Sequence, residues 1–259
     1  MNRTGNVVWR FVGALYVIFL LTPLILVVLF SFTNRGIAAF PIDYPSLQWW
    51  RAMVDDPEFV PALKNSLTIG STVGVISAII GTMAAMGLSR IDVRRAQSLT
   101  ALLCLPLMLP PLLLAVSLRT FYTQLAGIPL TLGTVILSHL LFTLPFVVLV
   151  VYARMRNFDY RVVESARDLG ASPLRAFFTV TLPIIRPTVV GAALIAVSLS
   201  IDDFIITNFT IGGGVTLPTF VFGMIRTSLT PAANAVGTLI LVMTVGTTLI
   251  ALRLTRYRG

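Results

Sequence analysis

Glu164-Ser165-Ala166-Arg167-Asp168-Leu169-Gly170, followed after nine residues by Val180-Thr181-Leu182-Pro183, lies in a charged segment (154–186) between two long apolar runs. Asp159 is placed to cap a helix running to Leu169. Val162, Val163, Ala166 and Leu169 recur at three- and four-residue spacing, which leaves Arg161, Glu164, Arg167 and Asp168 on the opposite side. Gly170 supplies a helix stop. Ser172-Pro173 restarts a second helix as cap and first-turn proline. That second helix is expected to end near Pro183, because the residue before a proline disfavours helical geometry. The segment therefore reads as helix, glycine bend and helix. By itself this pattern fits a docking element for a partner, or an amphipathic connector lying on a lipid surface.

The flanking runs set the solvent. The chain has 259 residues, 56% hydrophobic and only 11% charged, too few polar residues to coat a soluble globule of that size. Crossing a hydrocarbon core takes roughly 20 helical residues. Spans are expected near 11–31, 66–88, 98–118, 132–152, 187–208 and 236–252. The alternation of a membrane barrel is missing, so helices must satisfy the backbone. The expected fold is an all-α polytopic membrane bundle of six helices, a single transmembrane domain over 1–259 with the charged segment on the cytoplasmic side. The first apolar run is too long for a signal h-region, and no small-x-small cleavage site follows Ser31, so it is expected to remain as a span.

The net charge of +9 could suggest nucleic acid, but its distribution does not. With the N-terminus inside, 14 of the 19 basic residues fall in inner segments: Arg3, Arg10, Arg90, Arg94, Arg95, Arg154, Arg156, Arg161, Arg167, Arg175, Arg186, Arg253, Arg256 and Arg258. Arg35, Arg51, Lys64, Arg119 and Arg226 fall outside. This is a positive-inside bias, and it predicts both termini in the cytoplasm. Cys104 is the only cysteine, which rules out an intrachain disulfide.

Local signals fill in the rest. The outer loop from Thr33 to Pro61 carries Trp49 and Trp50 as expected interfacial anchors and Asp55, Asp56 and Glu58 as an acidic stretch. Gly70-Ser71-Thr72-Val73-Gly74 is a small-xxx-small face that allows close helix approach. Pro106, Pro110, Pro111 and Pro145 are expected to kink or break their helices. Gly212-Gly213-Gly214 should make a turn before a short outer helix.

The charged segment resembles the E-A-A-x-x-x-G…I-x-L-P loop of ABC importer permeases. Glu164, Ala166, Gly170, Leu182 and Pro183 match that motif, while Ser165 and Val180 replace an alanine and an isoleucine. Asn65-Ser66-Leu67, Met83 to Arg90, Ser198 to Phe204 and the stretch from Thr216 to Ala235 are similar to the spermidine/putrescine branch, so the resemblance covers roughly residues 10–250. It implies a type I importer of the bacterial inner membrane. Residues 164–170 with Leu182 and Pro183 would grip a cytoplasmic ATPase dimer. A second permease subunit, homologous or identical, would complete the pore, and an extracytoplasmic solute-binding protein would deliver cargo. ATP and Mg would bind the ATPase subunits and no cofactor would bind this chain. The one lysine, Lys64, does not follow a glycine-rich run, so no Walker A loop is present. Polyamines are the implied solute; ferric iron, thiamine or phosphonate are the alternatives within the same permease type. From another class, an ion-coupled secondary transporter would also use intramembrane carboxylates.

Those carboxylates are Asp202 and Asp203, the only acidic residues inside the six runs. An ionisable group at membrane depth costs several kcal/mol and usually faces a cavity, a partner or a pathway. If Pro187 lies near the inner face, fifteen residues carry the helix about 22 Å, into the outer third of the membrane. Ser200 and Thr207 share a face with Asp203, making Asp202, Asp203, Ser200 and Thr207 the candidate translocation path. Adjacent carboxylates point about 100° apart on a helix, so one of the two should line the path. Asp203 is the expected one, from its hydroxyl neighbours. The competing reading is a carboxylate capping a neighbouring helix. His139, alone in the fourth run, reads as an interhelical hydrogen-bond partner.

Overall fold

The computed structural model describes residues 3–227 and 230–256. The extreme ends, including Arg258, whose inner placement was expected from charge, lie outside the described residues. Among the described residues every regular element is helical: α1 (Arg3–Phe30), α2 (Gln48–Asp55), α3 (Phe59–Leu88), α4 (Val93–Leu103), α5 (Leu105–Met108), α6 (Pro111–Thr120), α7 (Leu132–Arg156), α8 (Arg161–Asp168), α9 (Pro173–Ala176), α10 (Leu182–Asp202), α11 (Ile205–Thr210), α12 (Leu217–Thr227) and α13 (Ala232–Arg256). Two π-turns, Phe121–Leu125 and Phe177–Thr181, continue α6 and α9 without interruption.

Among the described residues, five helices are long and apolar enough to cross a membrane: Trp9–Phe30, Phe59–Leu88, Leu132–Arg156, Pro173–Asp202 and Ala232–Leu254. The span expected over 98–118 is instead divided. Cys104 separates α4 from α5, and Leu109-Pro110 separates α5 from α6. Leu109, which precedes a proline, is extended (φ −81°, ψ 139°). Two successive prolines remove two donors and push the preceding residue out of helical space. Pro145, by contrast, sits buried inside an unbroken α7.

The fifth span differs from expectation at both ends. The helix that was to stop near Pro183 runs on, so that Pro173–Asp202 is one rod. Pro183 falls in the first turn after the π-turn Phe177–Thr181, whose wider register accommodates a proline ring and a missing N–H. The rod then ends at Asp202 rather than 208, where Asp203 turns extended (φ −71°, ψ 118°).

Two compact units are formed by the chain. The larger comprises Pro61–Thr219 and Val242–Gly259. In it α10 packs on α7, and α3 packs against both. The small-xxx-small face of α3 has the expected use. A Cβ on Gly70 would stand 2.8 Å from Ile201 Cγ1, and one on Gly74 would collide with Val197 Cγ2, so both glycines let α10 approach the α3 backbone. Gly81 does the same for Val147 of α7, at 2.7 Å. Ala85, Val147, Val151, Met155, Ile185 and Ala196 form the buried core between these helices. At the other end of α3, Asn65 Nδ2 donates to Val215 O (2.8 Å) and Leu217 N–H donates to Ser66 Oγ (2.9 Å), which ties the start of α12 to α3.

The smaller unit comprises Met1–Val60 and Phe220–Leu241. Its α1 buries almost none of its apolar surface within the chain. The loop after α1 folds on itself: Arg35 donates from Nε (3.2 Å) and Nη2 (3.0 Å) to Asp43, and Ser46 N–H donates to Phe32 O (2.8 Å). The hydrogen bond from Arg35, then that from Asn34, holds the Asp43 carboxyl below the usual carboxylate range. Trp49 Nε1 donates to Arg35 O (3.2 Å), and Trp50 stacks on Phe32.

Candidate coupling loop and transmembrane helix break

The charged segment folds as its residues dictate. Asp159 Oδ1 accepts from Arg161 N–H (3.0 Å), capping α8 as expected. At the other end Gly170 takes φ +88°. Its N–H donates to Arg167 O (2.9 Å) and Ala171 N–H donates to Ala166 O (3.1 Å). This pair of bonds closes the helix through a left-handed residue, which favours glycine. Ser172 Oγ then accepts from Arg175 N–H (3.3 Å) and opens α9.

The loop is anchored by a residue that the motif does not contain. The Tyr160 hydroxyl lies 2.7 Å from Ser89 Oγ, and the Arg90 guanidinium sits 5.5 Å over the Tyr160 ring. With Phe158, Tyr160 also packs on the buried core of α3, α7 and α10. Its sequence signal was faint, an aromatic one residue past the capping Asp159. Together Ser89, Arg90, Tyr160, Val163, Glu164 and Arg167 line a groove of about 330 Å³.

Glu164, Ser165, Arg167, Asp168 and Leu169 are all exposed, and Ala166 is half-buried. Leu169, expected on the apolar face with Val163 and Ala166, is 90% exposed, and Leu174 is 73% exposed. Glu164 and Asp168 have no salt bridge among the described residues. The loop thus combines a fixed backbone with unpaired charge and uncovered leucine. Leu182 and Pro183 stand apart from that surface, in the first turn of α10.

The candidate path residues divide into two groups. At the break after α10, Asp203 Oδ2 accepts from Thr207 N–H (2.9 Å) and Thr207 Oγ1 (3.2 Å), so it caps α11. His139 Nε2 lies 3.3 Å from the same oxygen and 3.0 Å from Thr207 Oγ1, and His139 Nδ1 lies 2.8 Å from Ser200 Oγ. A carboxylate only accepts, so in the neutral ring Nε2 carries the proton and Nδ1 accepts from the Ser200 hydroxyl. Ser200, Thr207 and His139 are buried, and the Asp203 side chain is 15% exposed. Asp202 is exposed and lies outside this network. The hydroxyl neighbours of Asp203 thus bind it to the neighbouring helix α7 and to α11. Nearby, Ser198 bonds Thr247 of α13.

The turn after α11 is as tightly specified. Gly212 has φ +69°, and a Cβ there would stand 2.5 Å from Leu130 O.

The family model described as "Binding-protein-dependent transport system inner membrane component" matches residues 70–257. The putrescine transport system permease protein of Escherichia coli (strain K12) is 35% identical over 241 residues, covering 90% of this chain and 85% of that protein. The spermidine/putrescine transport system permease protein of the same strain is 30% identical over 236 residues, covering 90% and 88%. Among solved structures, a chain of a bacterial alginate ABC transporter in complex with alginate pentasaccharide-bound periplasmic protein superposes with a TM-score of 0.72 at 15% identity, covering 98% of this chain and 96% of that one. A chain of the MetNI methionine ABC transporter in an inward-facing conformation gives 0.60 at 18% identity, covering 78% and 96%. The last two share the fold. With the family model matching most of the chain, and apolar helices long enough to span a bilayer, this protein belongs to the inner membrane components of binding-protein-dependent transport systems and is a multi-pass transport component.

Proposed function

We propose that the chain is the permease subunit of an ABC importer for polyamines, forming half of the translocation path. The observation that carries the substrate class is the likeness, along about nine-tenths of the chain, to two permeases named for putrescine and for spermidine with putrescine. The geometry fits a polycation. Asp202 presents an exposed carboxylate at the C-terminal end of α10, where the helix dipole adds partial negative charge. Away from bulk water such a charge attracts an ammonium group more strongly than it would in solution.

In this reading the 164–170 loop docks on a separate ATPase dimer, which holds the ATP and Mg. A second permease subunit completes the pore, and an extracytoplasmic binding protein delivers the polyamine. Both termini and residues 154–186 face the cytoplasm, following the arginine asymmetry. Pro173–Asp202 is continuous, so the docking loop and Asp202 sit at opposite ends of one rod about 44 Å long. A tilt imposed at the inner end by ATPase closure moves the carboxylate at the outer end.

The test is uptake of labelled putrescine and spermidine into vesicles holding the native assembly, with ATP supplied to the ATPase side. Uptake should require ATP, be blocked by excess unlabelled polyamine, ignore thiamine, phosphonate and ferric iron, and fall about tenfold in Asp202→Asn. ATP-dependent uptake of one of those other solutes, with none of polyamines, would overturn the substrate class.

A further inference from the structure

His139 reaches from α7 to every part of the α10–α11 break. Its ring bonds Ser200 in the last turn of α10 (2.8 Å), Thr207 in α11 (3.0 Å) and Asp203 in the linker between them (3.3 Å). The imidazole is 1% exposed and tilts against the Phe142 ring at 5.2 Å. Its own turn of α7 is fixed as well: Thr143 Oγ1 donates to His139 O (2.8 Å) and meets Ser77 of α3 at 3.0 Å.

This pattern is compatible with only one state of the break. In a continuous helix Ser200 and Thr207 would be seven residues, about 10 Å, apart along the axis. One imidazole with hydrogen bonds of 2.8 and 3.0 Å cannot span that distance. It bridges both hydroxyls because the chain folds at Asp203. Closing the break would also withdraw the Asp203 carboxylate from Thr207 N–H, since that donor would turn to the Asp203 carbonyl. A group that bonds the broken form and not the continuous one shifts the population toward the broken form.

We infer that His139 is a positioning residue for transport: from α7 it clamps the α10–α11 break open, and the clamped break presents Asp202 to the path. The clamp rests on the assignment of Asp202 to that path, and two separate readouts keep the two ideas apart.

Presentation is read by chemistry at position 202. In the assembled transporter, Asp202→Cys in a Cys104→Ser background is labelled with a cationic methanethiosulfonate. Adding His139→Leu should change the labelling rate by about tenfold, the shift expected when two bridging hydrogen bonds are lost from one state. His139→Gln, which keeps one donor and one acceptor, should restore the rate to within about twofold. Equal rates in the His139→Leu and parent proteins would overturn the clamp, as would failure of glutamine to rescue in a fully assembled complex.

Transport is read separately, with Asp202 native. His139→Leu should raise KM for spermidine more than it lowers kcat, and it should add little to the defect of Asp202→Asn. Additive losses in the double variant would make His139 a general packing residue and end the clamp proposal. Parent-level uptake by Asp202→Asn alone would remove Asp202 from the path while leaving the labelling result to judge the clamp.

Discussion

Asp202 and Asp203 are chemically identical neighbours with different fates. Asp203 is held by Thr207 and His139, whereas Asp202 is left to the surroundings of the helix end. Asp203→Ala should therefore destabilise the protein by about 1–3 kcal/mol, the cost of leaving Thr207 N–H without its acceptor and taking from His139 Nε2 one of its two. Asp202→Asn should leave the melting temperature of the detergent-solubilised assembly nearly unchanged. Thermal unfolding of the two variants checks this, and an equal loss in both would place them in one network. A second residue-scale expectation concerns Gly212. Its φ of +69° disfavours any side chain, and the Leu130 carbonyl occupies the space of a Cβ. Gly212→Ala should cost about 1–3 kcal/mol through strain alone, whereas Gly213→Ala, which meets nothing within 4 Å, should be nearly silent. Comparing their melting temperatures tests the close approach.

Among elements, the 154–186 segment suits the docking role proposed for it, because its shape is fixed within the chain itself. Asp159 caps α8, Gly170 ends it, Ser172 opens α9, and Tyr160 pins the whole to α3. A preorganised loop loses less entropy on binding than a flexible one. Gly170→Pro removes the N–H bonded to Arg167 O and forbids the positive φ, so the bend should re-aim α9. Glu164→Lys reverses a charge at the groove lined by Arg90 and Arg167. Both variants should insert normally, lose co-purification of the ATPase, and lose ATP-driven uptake by at least about tenfold. Retention of the ATPase with full uptake would reduce the loop to a surface connector. Tyr160→Phe, which loses only the hydroxyl contact to Ser89, should weaken coupling far less.

At the scale of the whole molecule, the charge distribution gives the expected orientation. Fourteen of nineteen basic residues lie on the inner side of the expected six-span pattern. Single cysteines at Ser165 and Asp55 in a Cys104→Ser background should react with membrane-impermeant maleimide from opposite faces of sealed vesicles. Reaction of both from the same face would require a different number of crossings. This experiment bears directly on the divided region α4–α6, whose pieces are each shorter than a bilayer-spanning helix. Labelling on opposite faces requires an odd number of crossings between 55 and 165, so α4–α6 together must then cross once along with α3 and α7.

What the sequence determined by itself is the solvent, the helical class and the local shape of the 154–186 loop. These depend on short-range or summed properties: run length against bilayer thickness, side-chain chemistry at a cap, and a glycine where φ must be positive. The close-packing role of Gly70 and Gly74 was legible too, because small residues at that spacing have few other uses in an apolar helix. Only the tertiary structure decided which carboxylate is committed and which is free, since that depends on His139, sixty-four positions away from Asp203 and brought to it by the packing of α7 on α10. It also decided that Pro183 continues a helix while Pro110-Pro111 interrupt one. A proline fixes its own φ and removes its own donor, but whether neighbouring backbone can absorb that change depends on the register around it, here a π-turn in one case and a second proline in the other.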